Sequence, residues 1–217
     1  MDWSLLSPLN DGDRRELLSR ARRRRFQRGD TVFHEGDPGD TLHLIERGHV
    51  AVRSSTPLGD VVMVRVIGPG GHFGEMAIIA PAPRSASLVA LTDTETLSLH
   101  ADIVNELRLR HPSIETMLLN ALASEVKRLS AALVEALHIP ADKRVLRRLL
   151  DLADVFDRHD DQTIKLPLTQ DDVAELAGTT RPTANRVLRN AQDTGSIRLT
   201  RGRIEILDQT TLRSQAR

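Results

Sequence analysis

The chain of 217 residues contains no cysteine and no tyrosine, and it has only one tryptophan and four phenylalanines. Without thiols it can form no disulfide, no thiolate-bound zinc or iron–sulfur centre and no cysteine nucleophile. The aromatic share of 2% predicts aliphatic cores, and it argues against base stacking as a way to hold single-stranded nucleic acid. Any metal or haem would depend on histidine or carboxylate ligands.

Net charge and long apolar runs are missing as well. The 30 Lys and Arg residues balance the 30 Asp and Glu residues, so a generally basic surface is excluded while a local basic patch is not. No apolar run is long enough to span a bilayer, and the first residues lack the pattern of a signal peptide. We therefore expect a cytoplasmic protein with no membrane partner.

The first half of the chain has the periodicity of β-strands. Residues 30–100 form short β-rich runs, many of them alternating, with turns such as GDPGD and GPGGH between them. This pattern predicts a jelly-roll-like antiparallel β-roll, which we place in a first domain at residues 1–110. A short helix is expected over Asp13–Arg20, and we interpret the tetra-arginine run Arg22–Arg25 as a solvated helix end.

The middle of the chain has the periodicity of a long helix. Between Ile114 and Leu137 apolar residues recur at alternating steps of three and four, as in the seam of a two-stranded coiled coil. Further apolar residues at the start of the helix suggest that this end also packs on the β-roll. We interpret residues 111–138 as the dimerisation helix of a homodimer, with a helix buried in one chain as the alternative. The seam residues are Leu119, Leu122, Val126, Leu129, Leu133 and Ala136, and the additional ones are Ile114, Met117, Leu118 and Ala121.

Residues 139–217 form the third predicted domain, which begins where Pro140 ends the long helix. A helix from Ala141 and a polar loop, DRHDDQ, come first. Thr169 then caps a short helix, Gly178 turns the chain and Thr180 caps a second helix, which is the order of a helix-turn-helix unit. The alternating segment SIRLTRGRIEIL adds a hairpin with a basic tip, so the overall fold class is α+β with a C-terminal winged helix-turn-helix.

The outer face of the second helix is polar and basic, opposite a stripe of buried residues. Arginine and asparagine bind guanine and adenine edges through paired hydrogen bonds, and arginine also pairs with phosphate. We therefore predict binding to double-stranded DNA, and a merely solvated charged face is the alternative. The predicted DNA-binding residues are Thr169, Gln170, Thr180, Arg181, Asn185, Arg186, Arg189 and Arg201.

The segment GGHFGEMAIIAPAPRSAS places Glu75 in a glycine-rich turn and Arg84 after two prolines. A buried arginine needs an anion, and glycines let backbone N–H groups approach an anion closely. Glu75 would repel a phosphate, but it can accept a hydrogen bond from a neighbouring ribose hydroxyl. Together the two residues could bind the sugar and the phosphate of a cyclic nucleotide.

The motifs FGEMA and RSA resemble the phosphate-binding cassette of cyclic-nucleotide-binding domains, and FQRGDTVFHEGDPGDTLHLIERGHVAV resembles the strands that open such domains. With the long helix and the winged helix-turn-helix, residues 17–207 resemble the CRP/FNR (catabolite activator) family of bacterial transcription regulators. The resemblance implies a homodimer that binds a palindromic operator under allosteric control by a cyclic nucleotide. Cyclic AMP is favoured over cyclic GMP, and RNA polymerase is a further candidate partner.

The resemblance also implies roles for individual residues. Glu75 is expected to accept the ribose 2′-OH, and Arg84 with Ser85 to bind the phosphate. Ser130 lies where members that respond to cyclic AMP place a hydroxyl on the base, whereas Leu129 replaces a second hydroxyl, which leaves the choice between adenine and guanine open. The implied ligand-binding residues are Gly74, Glu75, Met76, Ala77, Arg84, Ser85, Leu129 and Ser130.

The DNA-binding helix departs from the family at one position. Arg181 and Arg186 match positions that contact guanine, but Pro182 stands where the best-known member has a glutamate that binds cytosine. The operator sequence of that member therefore cannot be transferred to this chain.

Three alternatives stay open. Arg84 could pair with an internal carboxylate such as Glu75, which would leave DNA binding independent of ligand or under another effector. Haem could be held by histidine. The third alternative is an enzyme. Adjacent Asp171 and Asp172 are explained by helix capping, and no catalytic or metal-binding motif is found. We therefore expect no catalytic residue and no metal. The histidines available to haem are His34, His43, His49, His72, His100 and His138.

Overall fold

The computed structural model describes residues 2–156 and 163–216, which form two compact units. The first comprises Met1–Ser54 and Ile67–Ser130, and the second comprises Ser55–Val66 and Ala131–Arg217. The predicted polar loop, residues 157–162, lies outside the described residues. In the part of the chain that is described, no helix is long and apolar enough to cross a membrane, and no group of three or more His, Asp or Glu side chains could hold a metal ion.

The first unit consists of antiparallel sheets with a short helix before them, as the sequence predicted. Its strands are β1 (Arg22–Phe26), β2 (Thr31–Phe33), β3 (Thr41–Arg47), β4 (Val50–Ser55), β6 (His72–Phe73), β7 (Ser87–Ala90) and β8 (Thr94–His100). One sheet has the order β1-β8-β3-β6, and the other sheet contains β2-β7-β4. Strand β5 (Val61–Ile67) falls largely in the second unit.

The interpretation of Arg22–Arg25 as a helix end is wrong. Helix α1 (Asp11–Ser19) ends before the run, and the arginines form β1, where Arg22 pairs with Ser98 and Phe26 pairs with Thr94 of β8. Strand β1 lies at the edge of its sheet. Charged side chains are common on edge strands, where they discourage pairing with other chains, so pairing with a distant strand decides the conformation of this run.

Helices cover the outer face of the first sheet. Helix α2 (Met76–Ile79) lies between β6 and β7 in the chain. Helices α3 (Ala101–Arg110) and α4 (Pro112–His138) follow β8. The start of α4 is buried, with Ile114, Met117 and Leu118 in one cluster with Leu42 and Leu99 of the sheet. This confirms that the first turns of the long helix pack on the β-roll. A second cluster fills the space between the two sheets, with Ile45, Val50, Ile67, Phe73 and Leu88 as its buried members.

The second unit has the predicted winged helix-turn-helix, with two elements that the sequence did not indicate. Its helices are α5 (Ala141–Phe156), α6 (Gln170–Leu176), α7 (Arg181–Asp193) and α8 (Gln209–Gln215), and its strands are β9 (Ile164–Leu166), β10 (Ile197–Thr200) and β11 (Arg203–Ile206). Thr200 pairs with Arg203 around the turn that contains Gly202, whose φ is 69°, so the predicted hairpin is confirmed. The unpredicted elements are α8 and β9, which adds a third strand to the hairpin in the order β10-β11-β9.

Candidate functional site

The glycine-rich turn of the first unit is shaped by Gly74, whose φ is +89°. A Cβ at this position would lie 2.3 Å from the Thr41 carbonyl oxygen and 2.7 Å from Nη1 of Arg84. Both the backbone conformation and the lack of space therefore require glycine. The turn leads into α2, with Glu75 at its N-terminus.

The side chain of Arg84 is buried beside this turn, with 5% of its surface exposed. Its Nη2 donates a hydrogen bond to Thr41 Oγ1 at 2.7 Å, and its Cζ lies 4.0 Å from the centre of the Phe33 ring. Nη1 is 3.5 Å from the Gly74 carbonyl oxygen, at the limit of a hydrogen bond. Nε is buried without a hydrogen-bond partner among the described residues. The guanidinium is thus held firmly, but its donors are only partly used.

The charge of Arg84 is also only partly compensated. Burial lowers its pKa below the ordinary value, and the nearby carboxylates of Asp40, Asp37 and Glu75 oppose that shift. The nearest carboxylate oxygen in the described part of the chain is Oδ1 of Asp40, 3.8 Å from Nη2 on a side chain that is itself exposed. A buried cation with so loose a partner is a suitable place for an anion.

Glu75 does not supply the internal partner that the sequence left open for Arg84. Its half-buried carboxylate makes no hydrogen bond or ion pair with any residue that the structure describes. Its acceptor oxygens can therefore accept from a donor such as a sugar hydroxyl. The carboxylate that does approach the guanidinium belongs to Asp40, which the sequence did not indicate because it precedes a strand far from the motif.

The other predicted ligand-binding residues surround this turn or lie on α4. Ala77 is buried and Met76 is 46% exposed, while Ser85 is exposed next to Arg84. Leu129 and Ser130 lie further along the chain on α4, where Leu129 is 51% exposed. Within the described residues the hydroxyl of Ser130 has no hydrogen-bond partner, so the structure does not join it to the cassette.

Two polar residues of β3 lie next to Arg84: Thr41 accepts its hydrogen bond, and His43 contacts Thr41. The sequence indicated His43 only as one of the histidines available to haem and did not indicate Thr41. His43 stacks on Phe73 with ring centroids 4.8 Å apart, and its ring nitrogens lie 3.0 Å from Thr96 Oγ1 and 3.3 Å from Thr41 Oγ1. Burial, followed by the charges of Arg84 and Arg24, lowers the pKa of His43 to about 4. This histidine is therefore neutral at pH 7. Both of its ring nitrogens are within hydrogen-bond distance of threonine hydroxyls, which gives the haem alternative no support at this residue.

The helix-turn-helix begins with the predicted capping box. Thr169 Oγ1 accepts the Asp172 N–H at 3.1 Å, and the Thr169 N–H donates to the Asp172 carboxylate at 2.7 Å. Gly178 makes the turn with φ of 56°. Arg144, which the sequence gave no reason to select, fixes this turn by donating to the carbonyl oxygens of Ala177 and Gly178, both at 2.8 Å.

The predicted DNA-binding residues lie at the start of α6 (Thr169 and Gln170), on α7 and its N-cap, and on the wing. Arg186 and Arg189 lie on the side of α7 opposite its buried stripe, and Arg201 lies at the tip of the wing. The buried stripe consists of Ala184, Val187, Leu188 and Ala191. Two of the residues on α7 also contact α6. Arg181 Nε lies 3.0 Å from Asp171 Oδ1, and Asn185 donates a hydrogen bond to the Gln170 side chain.

The predicted cap at Thr180 needs one correction. Thr180 occupies the N-cap position, but its side chain makes no bond to the backbone of α7. The hydroxyls of Thr180 and Thr183 lie 3.1 Å apart instead. A β-branched side chain has few rotamers, and here the side-chain pairing replaces the backbone cap.

Comparisons with known proteins agree with both units. The family model described as "Cyclic nucleotide-binding domain" matches residues 23–111, and that described as "Crp-like helix-turn-helix domain" matches residues 143–215. The fold and these two matches define the protein as a DNA-binding transcription regulator with a cyclic nucleotide-binding domain.

Full-length relatives identify the family. The chain is 33% identical over 194 residues to a "CRP-like cAMP-activated global transcriptional regulator" of Mycobacterium tuberculosis, with 88% of this chain and 87% of the relative covered. It is 31% identical to a "Cyclic AMP receptor protein" of Thermus thermophilus, with 90% and 88% covered. A crystal structure of a CRP-family transcriptional regulator from Thermus thermophilus has a TM-score of 0.73 at 26% identity, with 89% and 96% covered. The chain belongs to the CRP/FNR family, whose members are transcription regulators and not enzymes.

Proposed function

We propose that this protein is a homodimeric transcription regulator in which a cyclic nucleotide, cyclic AMP in preference to cyclic GMP, controls binding to a palindromic operator. In this proposal residues 1–110 bind the nucleotide, residues 111–138 form the dimer helix and residues 139–217 bind DNA. The observation that carries the proposal is the buried Arg84 at the glycine turn. Its Nε has no partner among the described residues, and the nearest carboxylate oxygen, Oδ1 of the exposed Asp40, lies 3.8 Å from Nη2.

The chemistry of the cassette suits a cyclic phosphodiester next to a ribose. Arg84 offers charge-assisted hydrogen bonds to the phosphate, and Ser85 offers a hydroxyl beside it. The carboxylate of Glu75 is the acceptor for the 2′-OH. The preference for cyclic AMP is supported by the names of the two relatives, which are called cAMP-activated and a cyclic AMP receptor.

Dimerisation is supported by the exposed seam of α4. Four of the seam residues, Leu119, Val126, Leu129 and Leu133, are between 51% and 61% exposed. Side chains of this type at heptad spacing are covered by a second helix in a coiled coil. A second copy of the chain supplies that helix, and its two-fold symmetry matches a palindromic site.

Coupling between ligand and DNA follows from two-state linkage. A ligand that binds one arrangement of the dimer more tightly raises the population of that arrangement by no more than its differential affinity. The two α7 helices must enter successive major grooves about 34 Å apart. Only an arrangement with that spacing binds the operator well.

Calorimetric titration of nucleotide-stripped protein with cyclic AMP, and separately with cyclic GMP, tests the ligand. Arg84→Gln should reduce affinity at least about tenfold, because charge-assisted hydrogen bonds are lost. Arg25→Gln is the control, since Arg25 is an exposed residue of β1 paired with Glu95 at 3.2 Å. If neither nucleotide binds, or if Arg84→Gln binds as tightly as the unaltered protein, the proposed ligand site is wrong.

Binding to DNA is tested with a site selected from a randomised palindrome. Arg186→Ala should reduce discrimination between this site and random DNA, whereas Gln170→Ala should weaken both more evenly. Equal losses on both DNAs for both variants would contradict the assignment of α7 as the helix that recognises bases.

A further inference from the structure

The four arginines of β1 divide into two pairs with different surroundings. Successive side chains of a strand point to opposite faces of the sheet. On one face, Arg23 lies 3.0 Å from Glu46 and Arg25 lies 3.2 Å from Glu95. On the other face, Arg22 and Arg24 make no ion pair with any residue that the structure describes. The second pair thus leaves two positive charges uncompensated.

Arg22 and Arg24 line a cavity of about 290 Å³ in the first unit. Arg20 adds a third guanidinium, and the side chains of Thr41, Ser98 and His100 add polar groups that can bind an anion. The volume lies just below the range of about 300–1,000 Å³ for drug-sized ligands, which suits a small phosphate-bearing group more than a large polymer.

The acidic groups near this cavity pair with Arg20 or His100, and Asp40 Oδ2 lies 3.9 Å from Nε2 of His100. Arg20 Nη2 lies 3.1 Å from Glu106. Asp102, the one carboxylate among the described residues that line the cavity, lies 3.3 Å from Nδ1 of His100. Glu106 thus pairs with Arg20, and Asp102 and Asp40 lie beside His100, whereas no carboxylate pairs with Arg22 or Arg24 among the described residues. Ion pairing inside the cavity therefore does not cancel the charge of Arg22 and Arg24.

The cavity is a neighbour of the Arg84 cassette and is not part of it. Thr41 lines the cavity and also accepts the hydrogen bond from Arg84. The charges of Arg84 and Arg24 both act on His43. Arg84 itself does not line the cavity. Thr41 therefore contacts Arg84 and also lines the cavity, so the two sites are neighbours.

We propose that the cavity lined by Arg20, Arg22 and Arg24 is a second anion-binding site, which binds the phosphate group of a small molecule. Arginine pairs with two phosphate oxygens at once in a planar geometry, and the hydroxyls of Thr41 and Ser98 supply additional donors. Free inorganic phosphates and nucleoside phosphates share this chemistry. The inference does not depend on cyclic nucleotide binding at Arg84.

The test uses calorimetric titration of the stripped full-length protein with inorganic pyrophosphate, at an ionic strength held constant with chloride. The double variant Arg22→Gln/Arg24→Gln should bind pyrophosphate at least about tenfold more weakly. The matched control is Arg23→Gln/Arg25→Gln, which removes the same charge from the opposite face of the same strand and should bind as the unaltered protein does. Circular dichroism checks folding, and each single variant should show a partial loss if the double variant does not fold.

The outcomes separate this site from the cassette. Pyrophosphate binding that survives Arg84→Gln but is lost in Arg22→Gln/Arg24→Gln supports the proposal, whether or not cyclic AMP binds. Repeating the titration with ADP distinguishes the ligand sources, since tighter binding of ADP than of pyrophosphate indicates a nucleoside phosphate. The proposal is overturned if pyrophosphate does not bind, if both double variants lose binding equally, or if Arg84→Gln alone abolishes it.

Discussion

Replacing Gly74 with alanine tests whether the glycine turn holds Arg84 in place. An alanine forced to the φ of +89° found here costs roughly 1–2 kcal/mol in backbone strain. The new Cβ would also lie 2.3 Å from the Thr41 carbonyl oxygen and 2.7 Å from Arg84 Nη1, and such overpacking costs a further ~1–3 kcal/mol. We expect Gly74→Ala to lower the free energy of unfolding by about 2–5 kcal/mol and to weaken nucleotide binding.

A matched glycine separates the two contributions. Gly29 has φ of +94°, but an added Cβ there meets no described atom within 4 Å. Gly29→Ala should therefore show only the strain, roughly 1–2 kcal/mol, and should bind nucleotide normally. Urea unfolding followed by tryptophan fluorescence measures both variants, because the single tryptophan, Trp3, is buried in the first unit and donates to the Ile45 carbonyl oxygen at 3.1 Å. Equal destabilisation by both substitutions, or unchanged binding in Gly74→Ala, would refute the argument.

Two further predictions concern acid sensitivity and assembly. Folding lowers the pKa of His43 from 6.5 to about 4. As the pH falls, His43 is therefore protonated in the unfolded chain before it is protonated in the folded protein. The contribution of neutral His43 to the free energy of unfolding is complete above pH 6.5 and is lost as the pH falls toward 4. Between pH 7 and pH 4.5, the free energy of unfolding of His43→Gln in urea should fall by about 2–3 kcal/mol less than that of the unaltered protein. An equal fall in both proteins would exclude His43 as the source. Leu133→Glu should convert dimer to monomer in sedimentation equilibrium, whereas Ala131→Glu, off the seam, should not; monomeric unaltered protein would contradict the seam.

The parts of the fold that the sequence predicted depend on local patterns. The heptad spacing of α4, the capping box at Thr169 and the two-residue turn of the wing each involve neighbours along the chain, and each is present. The FGEMA and RSA motifs likewise located Glu75 and Arg84. Such signals survive because periodicity and capping depend on side chains a few positions apart.

The parts that the sequence did not predict depend on contacts between distant segments. The run Arg22–Arg25 has no strand signal of its own, and it is a strand because β8 pairs with it. Thr41 holds Arg84 from 43 positions away, and Arg144 holds the turn at Gly178 from 34 positions away. No local pattern encodes these contacts, so they could not be inferred from one sequence.

His43 is a buried histidine whose protonation is opposed by the charges of both Arg84 and Arg24. Burial, followed by the charges of Arg84 and Arg24, lowers the pKa of His43 to about 4, so a proton on this buried ring is disfavoured. As a neutral ring, His43 can hydrogen-bond to Thr41 and Thr96 while both arginines stay charged. An anion bound near either arginine would oppose its charge and raise the pKa of His43. We therefore expect the loss of stability in acid that His43 causes to be smaller when an anion is bound near Arg84 or Arg24.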